Sequence, residues 1–316
     1  MIATPTETAT ATTARRQRWA LAVAVVLMVV WGSNFSVQKQ VYQAMSVGGF
    51  LFARYLLLAL LATALLCRQH GLHWPRLSRS EWPPMLRTAA VGQFLHVAFV
   101  SYGIHWSTAF SSSLILACGP VFTLLILRIS GKERLLPKQL IGVALACAGV
   151  LLFLSDKLLR ADWSASGGDL MLLAGAMLAA LYTVQTRPLF ERHGGLVTMC
   201  YATLLAVLPM LLLGAGSSLR LDWMAVTGPI WLGFVWSVVV VAFFGWMVWA
   251  WVNAERGVAR TAPLMYLLPP VAGAIAWLAG AEVFSGPKLA GAAVALAGVA
   301  LAQSSATKAG GQGQPG

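Results

Sequence analysis

The chain has 316 residues, of which 59% are hydrophobic and only 10% charged, with a mean hydropathy of +0.75. Soluble domains carry about a quarter charged residues, so water is excluded as the main solvent. The net charge of +12 would suggest nucleic acid in a soluble protein, but the 22 basic residues fall almost entirely between apolar stretches, which is a topology signal and excludes nucleic-acid recognition.

Residues 1–18 open with the polar Thr/Ala-rich run MIATPTETATATTA and are expected to form a disordered cytoplasmic tail. The apolar run from Trp19 has no small-residue cleavage site, so it is expected to stay as a membrane helix and not to be removed as a signal peptide. A helix needs about 20 residues to cross the hydrocarbon core. On that ruler spans fall at roughly 19–38, 48–67, 86–104, 108–128, 137–154, 168–187, 196–214, 229–252, 258–280 and 286–303, and residues 304–316 form a second disordered cytoplasmic tail. Charged or Gly-containing breaks such as Arg76-Leu77-Ser78-Arg79 and Glu191-Arg192-His193-Gly194-Gly195 separate them.

Counted on alternate sides, sixteen basic residues gather on the face that holds both termini and five on the other, with Arg54 inside a span. Cytoplasmic loops retain Lys and Arg, so both termini are expected in the cytoplasm of a multi-pass inner (cytoplasmic) membrane protein. The cysteines Cys67, Cys118, Cys147 and Cys200 lie in or beside apolar segments without CxxC spacing and read as packing residues, neither disulfides nor a zinc site.

The segment Pro120–Val150 aligns without gaps on Pro269–Val299, at a constant offset of 149. Phe35-Ser36-Val37-Gln38 echoes Tyr182-Thr183-Val184-Gln185 at an offset of 147. The expected fold is therefore an all-α integral membrane protein of ten transmembrane helices, built as two five-helix repeats over residues 19–155 and 156–303. Five is odd, so the second copy enters the bilayer from the opposite side and the repeats are inverted, an architecture of transporters. The plainer alternative is a duplication that only stabilises the bundle.

In chain order, Trp31, Asn34 and Gln38 share one face of the first span. Arg54 either snorkels to the outer interface or attracts an anionic group such as a carboxylate. Gln93 and His96 share a face in mid-span, where polar groups must point into the bundle; His96 suits substrate binding, proton uptake or an interhelical hydrogen bond. His105 lies nearly opposite His96 around the helix, so the two do not make a metal pair. Pro120 and Pro269-Pro270 fall at repeat-equivalent mid-span positions, where an interior proline would release the carbonyls of Leu116, Met265 and Tyr266 and supply hinges, or merely kink packed helices. Trp236, Phe243 and Trp246 form an aromatic face that either walls a cavity for an amphipathic solute or packs ordinary helices. The candidate substrate-binding set is Trp31, Asn34, Gln93, His96, Phe243, Trp246 and Tyr266. Glu133 and Glu282 are expected to order helix ends, and no span is expected to hold an internal Asp or Glu.

At Trp31-Gly32-Ser33-Asn34-Phe35, Gly119-Pro120-Val121-Phe122 and Gly131-Lys132-Glu133-Arg134 before Gln139-Leu140-Ile141-Gly142, the chain resembles the EamA-type carriers of the drug/metabolite transporter superfamily. The resemblance covers residues 19–303; the second copy departs from it, with Ala281-Glu282-Val283-Phe284 replacing the Gly-Lys-Glu-Arg stretch. It implies a ten-helix carrier, often an exporter of amino acids or related compounds, with its pathway between the halves.

A membrane-embedded enzyme or a channel is the competing class, but HExxH, GxSxG, a Gly-rich phosphate loop and an intramembrane carboxylate pair are all missing from the sequence. No cofactor or metal is expected. The expected partners are a small-molecule substrate and the lipid bilayer. The small-residue faces Gly142, Ala146, Gly149 and Gly291, Ala295, Gly298 suit either a homodimer contact or packing within the monomer.

Overall fold

A computed structural model of the chain describes residues 5–131, 136–159, 163–256 and 261–310. The elements are α1 (Pro5–Met45), α2 (Val47–His70), α3 (Trp82–Thr88), α4 (His96–Trp106), α5 (Ala109–Ala117), α6 (Gly119–Ile129) and α7 (Pro137–Leu159). They continue with α8 (Trp163–His193), α9 (Gly195–Arg220), α10 (Gly228–Val235), α11 (Gly245–Arg256), α12 (Leu268–Leu278) and α13 (Gly286–Gly310). Helix α1 thus runs into the expected N-terminal tail and α13 into the C-terminal one; residues 1–4 and 311–316 lie outside the described residues.

Turn chemistry explains the tight connections. Ser46 alone separates α1 from α2, at a φ of 59°, and its Oγ accepts the Gly49 N–H at 3.2 Å, satisfying one donor of the new helix. Thr108 caps α5 in the same way, from the Ser111 N–H at 3.1 Å. Gly194, at a φ of 77°, turns the chain between α8 and α9, a conformation a side chain would strain.

Among the described residues seven helices are long and apolar enough to cross a membrane. The shorter apolar helices Leu264–Leu278 and Gly286–Ala302, and the helical run Trp82–Trp106, coincide with the other three expected spans. The outer surface carries large apolar side chains in the open, among them Val26, Leu60, Leu208, Leu212 and Leu232, as expected where lipid is the solvent.

Two helical runs contain π-helical segments: Ala89–Leu95 between α3 and α4, and Trp236–Phe244 between α10 and α11. At their ends the N–H groups reach back five residues, from His96 to the Val91 carbonyl and from Gly245 to the Val240 carbonyl. The starting residues Ala89 and Trp236 stand 147 positions apart, the offset of the Phe35–Tyr182 echo.

Two further helices are broken at matched points. Cys118 links α5 to α6, and a 3-10 segment (Ala262–Leu267) leads into α12, so the linking residues Cys118 and Leu267 are 149 apart. Pro120, Pro269 and Pro270 all sit in the first turn of the helix that follows, where a missing N–H removes no helix bond. The expected release of the Met265 carbonyl is therefore corrected: the 3-10 segment turns it toward the Leu268 N–H, which bonds to it.

Helix α7 packs along α13 more extensively than any other pair of elements touch. An added Cβ would stand 2.2 Å from the Ala295 nitrogen at Gly149, 2.2 Å from the Ala146 nitrogen at Gly298, 2.4 Å from the Ala302 nitrogen at Gly142, and 2.4 Å from the Phe153 nitrogen at Gly291. The pairs run in opposite order along the two helices, so α7 and α13 are antiparallel. The small-residue faces considered for a dimer are thus occupied inside the chain, where glycine lets two backbones meet.

Candidate functional site

The first polar cluster forms where α2 and α8 meet the π-helical segment Ala89–Leu95 and α4. A π turn inserts a residue into the helix ladder and makes a backbone carbonyl available to side chains. Tyr55 of α2 uses it, its hydroxyl donating to the Gln93 carbonyl and lying 3.4 Å from Gln93 Oε1. The Tyr182 ring of α8 packs over Gly92 so closely that a Cβ there would stand 1.9 Å from Cδ2. His96 is tied to α8 as well, with Nδ1 2.8 Å from the Gly175 carbonyl, which makes Nδ1 the donor. The Arg54 guanidinium is close enough to act electrostatically on Tyr42, Tyr55 and His96, and its Nε is buried without a partner.

The second cluster repeats this logic where α1 meets the segment Trp236–Phe244 and α11. Trp31 Nε1 donates to the Val241 carbonyl at 3.2 Å, an aromatic donor again reaching a π-segment carbonyl from another helix. Three residues on, buried Asn34 accepts from the buried Ser237 hydroxyl at 2.7 Å. The Trp31 ring lies 5.3 Å from Trp246 and 5.8 Å from Trp249. Gly245 makes room for it, since a Cβ there would stand 2.5 Å from Trp31 Nε1.

The predicted residues therefore divide. Gln93 and His96 lie together with Arg54; Trp31, Asn34 and Trp246 lie together in the second cluster. Phe243 pairs with Phe244 at 5.3 Å, and Trp236 lines an apolar groove of about 460 Å³ with Val37, Val41, Ile230, Gly233 and Val240. Tyr266 belongs to neither cluster: its hydroxyl donates to the Val299 carbonyl at 3.2 Å, against α13. Tyr55, Tyr182, Ser237 and Trp249 were not singled out by sequence, although the echo at Tyr182 marked its segment.

One expectation is corrected by Asp169. It lies within the membrane-length stretch Gly167–His193 and is fully buried, accepting from the Ser107 hydroxyl. It falls inside the expected span 168–187, and Ser107 comes from the connection between α4 and α5. Lys39 donates to the carbonyls of His105 and Ser107 in the same region.

Charged groups elsewhere act as ties. Lys288 pairs with buried Glu282 and stands 5.8 Å and 5.7 Å from the Phe110 and Phe284 ring centroids, fixing the start of α13. Glu133 lies outside the described residues. Glu81, before α3, accepts from the Ser78 backbone and hydroxyl at 2.7 and 2.8 Å, from Arg192 at 3.0 Å, and pairs with His193 at 2.9 Å. The Ser78 backbone and hydroxyl bonds, then Arg192, hold its carboxyl down to about 2. Among the described residues no three metal-ligating side chains gather.

Apolar membrane-length helices, an apolar exterior and interior polar clusters on interrupted helices define a multi-pass membrane protein of transporter type. The EamA-like transporter family model matches residues 18–155 and again 166–303, and the chain belongs to that family. It is similar to a protein of Streptantibioticus cattleyicolor named "Probable terminal-alkyne amino-acid exporter", 29% identical over 88% of this chain and 91% of the relative. It is also similar to the "Probable amino-acid metabolite efflux pump" of Salmonella typhimurium, 28% identical over 87% and 91% of the two chains. A solved crystal structure shares its fold, with a TM-score of 0.55 and 20% identity over 90% of this chain and 97% of that one.

Proposed function

We propose that the chain is a secondary transporter that exports a small amphipathic metabolite of the amino-acid type across the inner membrane by alternating access. Both termini are cytoplasmic in this reading, and ten helices form two inverted halves, about 19–155 and 156–303, with substrate between them. The substrate class rests on the names of the two relatives.

The observation that carries the reading is the doubling of irregular backbone at constant offsets: π-helical segments 147 apart and proline-marked breaks 149 apart. The swapped contacts Gly149–Ala295 and Gly298–Ala146 on antiparallel helices are what a two-fold axis perpendicular to those helices requires, and such an axis lies in the membrane plane. Exchanging the conformations of two such halves gives inward-open and outward-open states of similar energy. In this reading the breaks at Pro120 and at Pro269-Pro270 act as hinges. Gln93, His96, Trp31, Asn34, Phe243 and Trp246 meet the substrate from the two π-bearing regions, while Tyr266 serves the hinge.

Reconstitution in liposomes with a panel of labelled amino acids tests this. Saturable flux of at least one member is expected; no flux above the leak of empty liposomes contradicts it.

A further inference from the structure

Arg54 is a cation within the membrane-length helix Val47–His70. Arg54 is half-buried, its Nε is buried without a partner, and its charge acts on Tyr42, Tyr55 and His96 inside the bundle. No acidic side chain whose surroundings are described neutralises it. Glu81 is held by Ser78, Arg192 and His193; Asp169 by Ser107; Glu191 by Arg187; Glu255 by Arg16; Glu282 by Lys288; and Asp222 by the N–H groups of Met224 and Ala225. A cation within a membrane-length helix that lacks a counter-ion is costly and is retained where it has a charged ligand to receive.

We infer that Arg54 is the anchor for a carboxylate on the transported solute, with the buried Tyr182 hydroxyl beside Tyr55 and Gln93 as a second donor. The guanidinium fork matches a carboxylate and a phenol adds a third hydrogen bond, so the first polar cluster reads the acid end of the solute. This rests on the transporter reading for its physiological meaning, but its test is a binding measurement that does not need flux.

The full chain, purified in detergent, is titrated calorimetrically with aliphatic and aromatic L-amino acids and with their carboxamides, in wild type, Arg54→Gln and Arg54→Lys. Wild type is expected to bind at least one acid about tenfold or more tighter than its amide. Arg54→Gln is expected to abolish that preference while amide affinity stays within about twofold, and Arg54→Lys to keep part of it. Equal binding of acid and amide by wild type, as when an inorganic anion or a lipid phosphate occupies Arg54, overturns the inference. So does a wild type that binds no acid, an Arg54→Gln variant that keeps the preference, or one in which acid and amide affinities fall together. If Arg54→Gln does not fold, Arg54→Lys decides, and an acid preference there undiminished from wild type overturns the inference. Acid-selective binding without flux in liposomes would sink the transporter reading and leave the anchor standing; flux without acid selectivity would do the reverse.

Discussion

Gly149 and Ala295 meet so closely that a Cβ on the glycine would stand 2.2 Å from the alanine nitrogen, and Gly298 and Ala146 repeat the contact with the helices exchanged. No flexible side chain at either place can yield, because the obstacle is backbone. Gly149→Ala and Gly298→Ala are each expected to destabilise the protein by about 1–3 kcal/mol, the usual range for overpacking. Gly216→Ala, whose added Cβ meets nothing within 4 Å, should leave it unchanged. Thermal melting in detergent checks this, and the two contact variants should melt alike.

The Asn34–Ser237 bond joins two buried side chains from α1 and the second π-helical segment. Removing either partner leaves a polar atom in an apolar interior. A double-mutant cycle of Asn34→Ala and Ser237→Ala, read by equilibrium unfolding in bilayer-like detergent, should give a coupling of about 0.6 kcal/mol and no more than about 1.7.

His96 ties α4 to α8 through Nδ1. Asn places a donor near the same point and Leu does not. His96→Asn is expected to keep most of the flux in liposomes, whereas His96→Leu should reduce it and lower the melting temperature. If flux in His96→Asn keeps the pH dependence of wild type, His96 is a positioning residue and not the site of proton uptake.

Glu81 gives a pH prediction with a definite sign. Its folded carboxyl titrates near 2 against an ordinary value of 4.5, so its contribution to stability is complete above about 4.5 and fades as pH falls toward 2. Wild type should lose melting temperature across that window more steeply than Glu81→Gln, and Glu81→Gln should be the less stable of the two at neutral pH.

Much of this architecture was legible in the sequence because membrane helices announce themselves by length and apolarity, and because Pro120 and Pro269 mark their own breaks. The π-helical segments were not legible: no residue type signals a single extra residue in the hydrogen-bond ladder, and Ala89–Leu95 reads as ordinary helix. Gln93, His96 and Arg54 stood out as polar residues within spans, but Tyr55 and Tyr182 come from helices whose rotation composition does not fix. Asp169 escaped because its burial depends on Ser107, from the α4–α5 connection.

The most direct measurement is exchange in proteoliposomes: labelled solute outside, unlabelled solute preloaded inside. A carrier with two alternating halves is predicted to take up label severalfold faster with the preload than without, and to saturate. Uptake that rises linearly with concentration and ignores the preload would contradict alternating access and favour a channel.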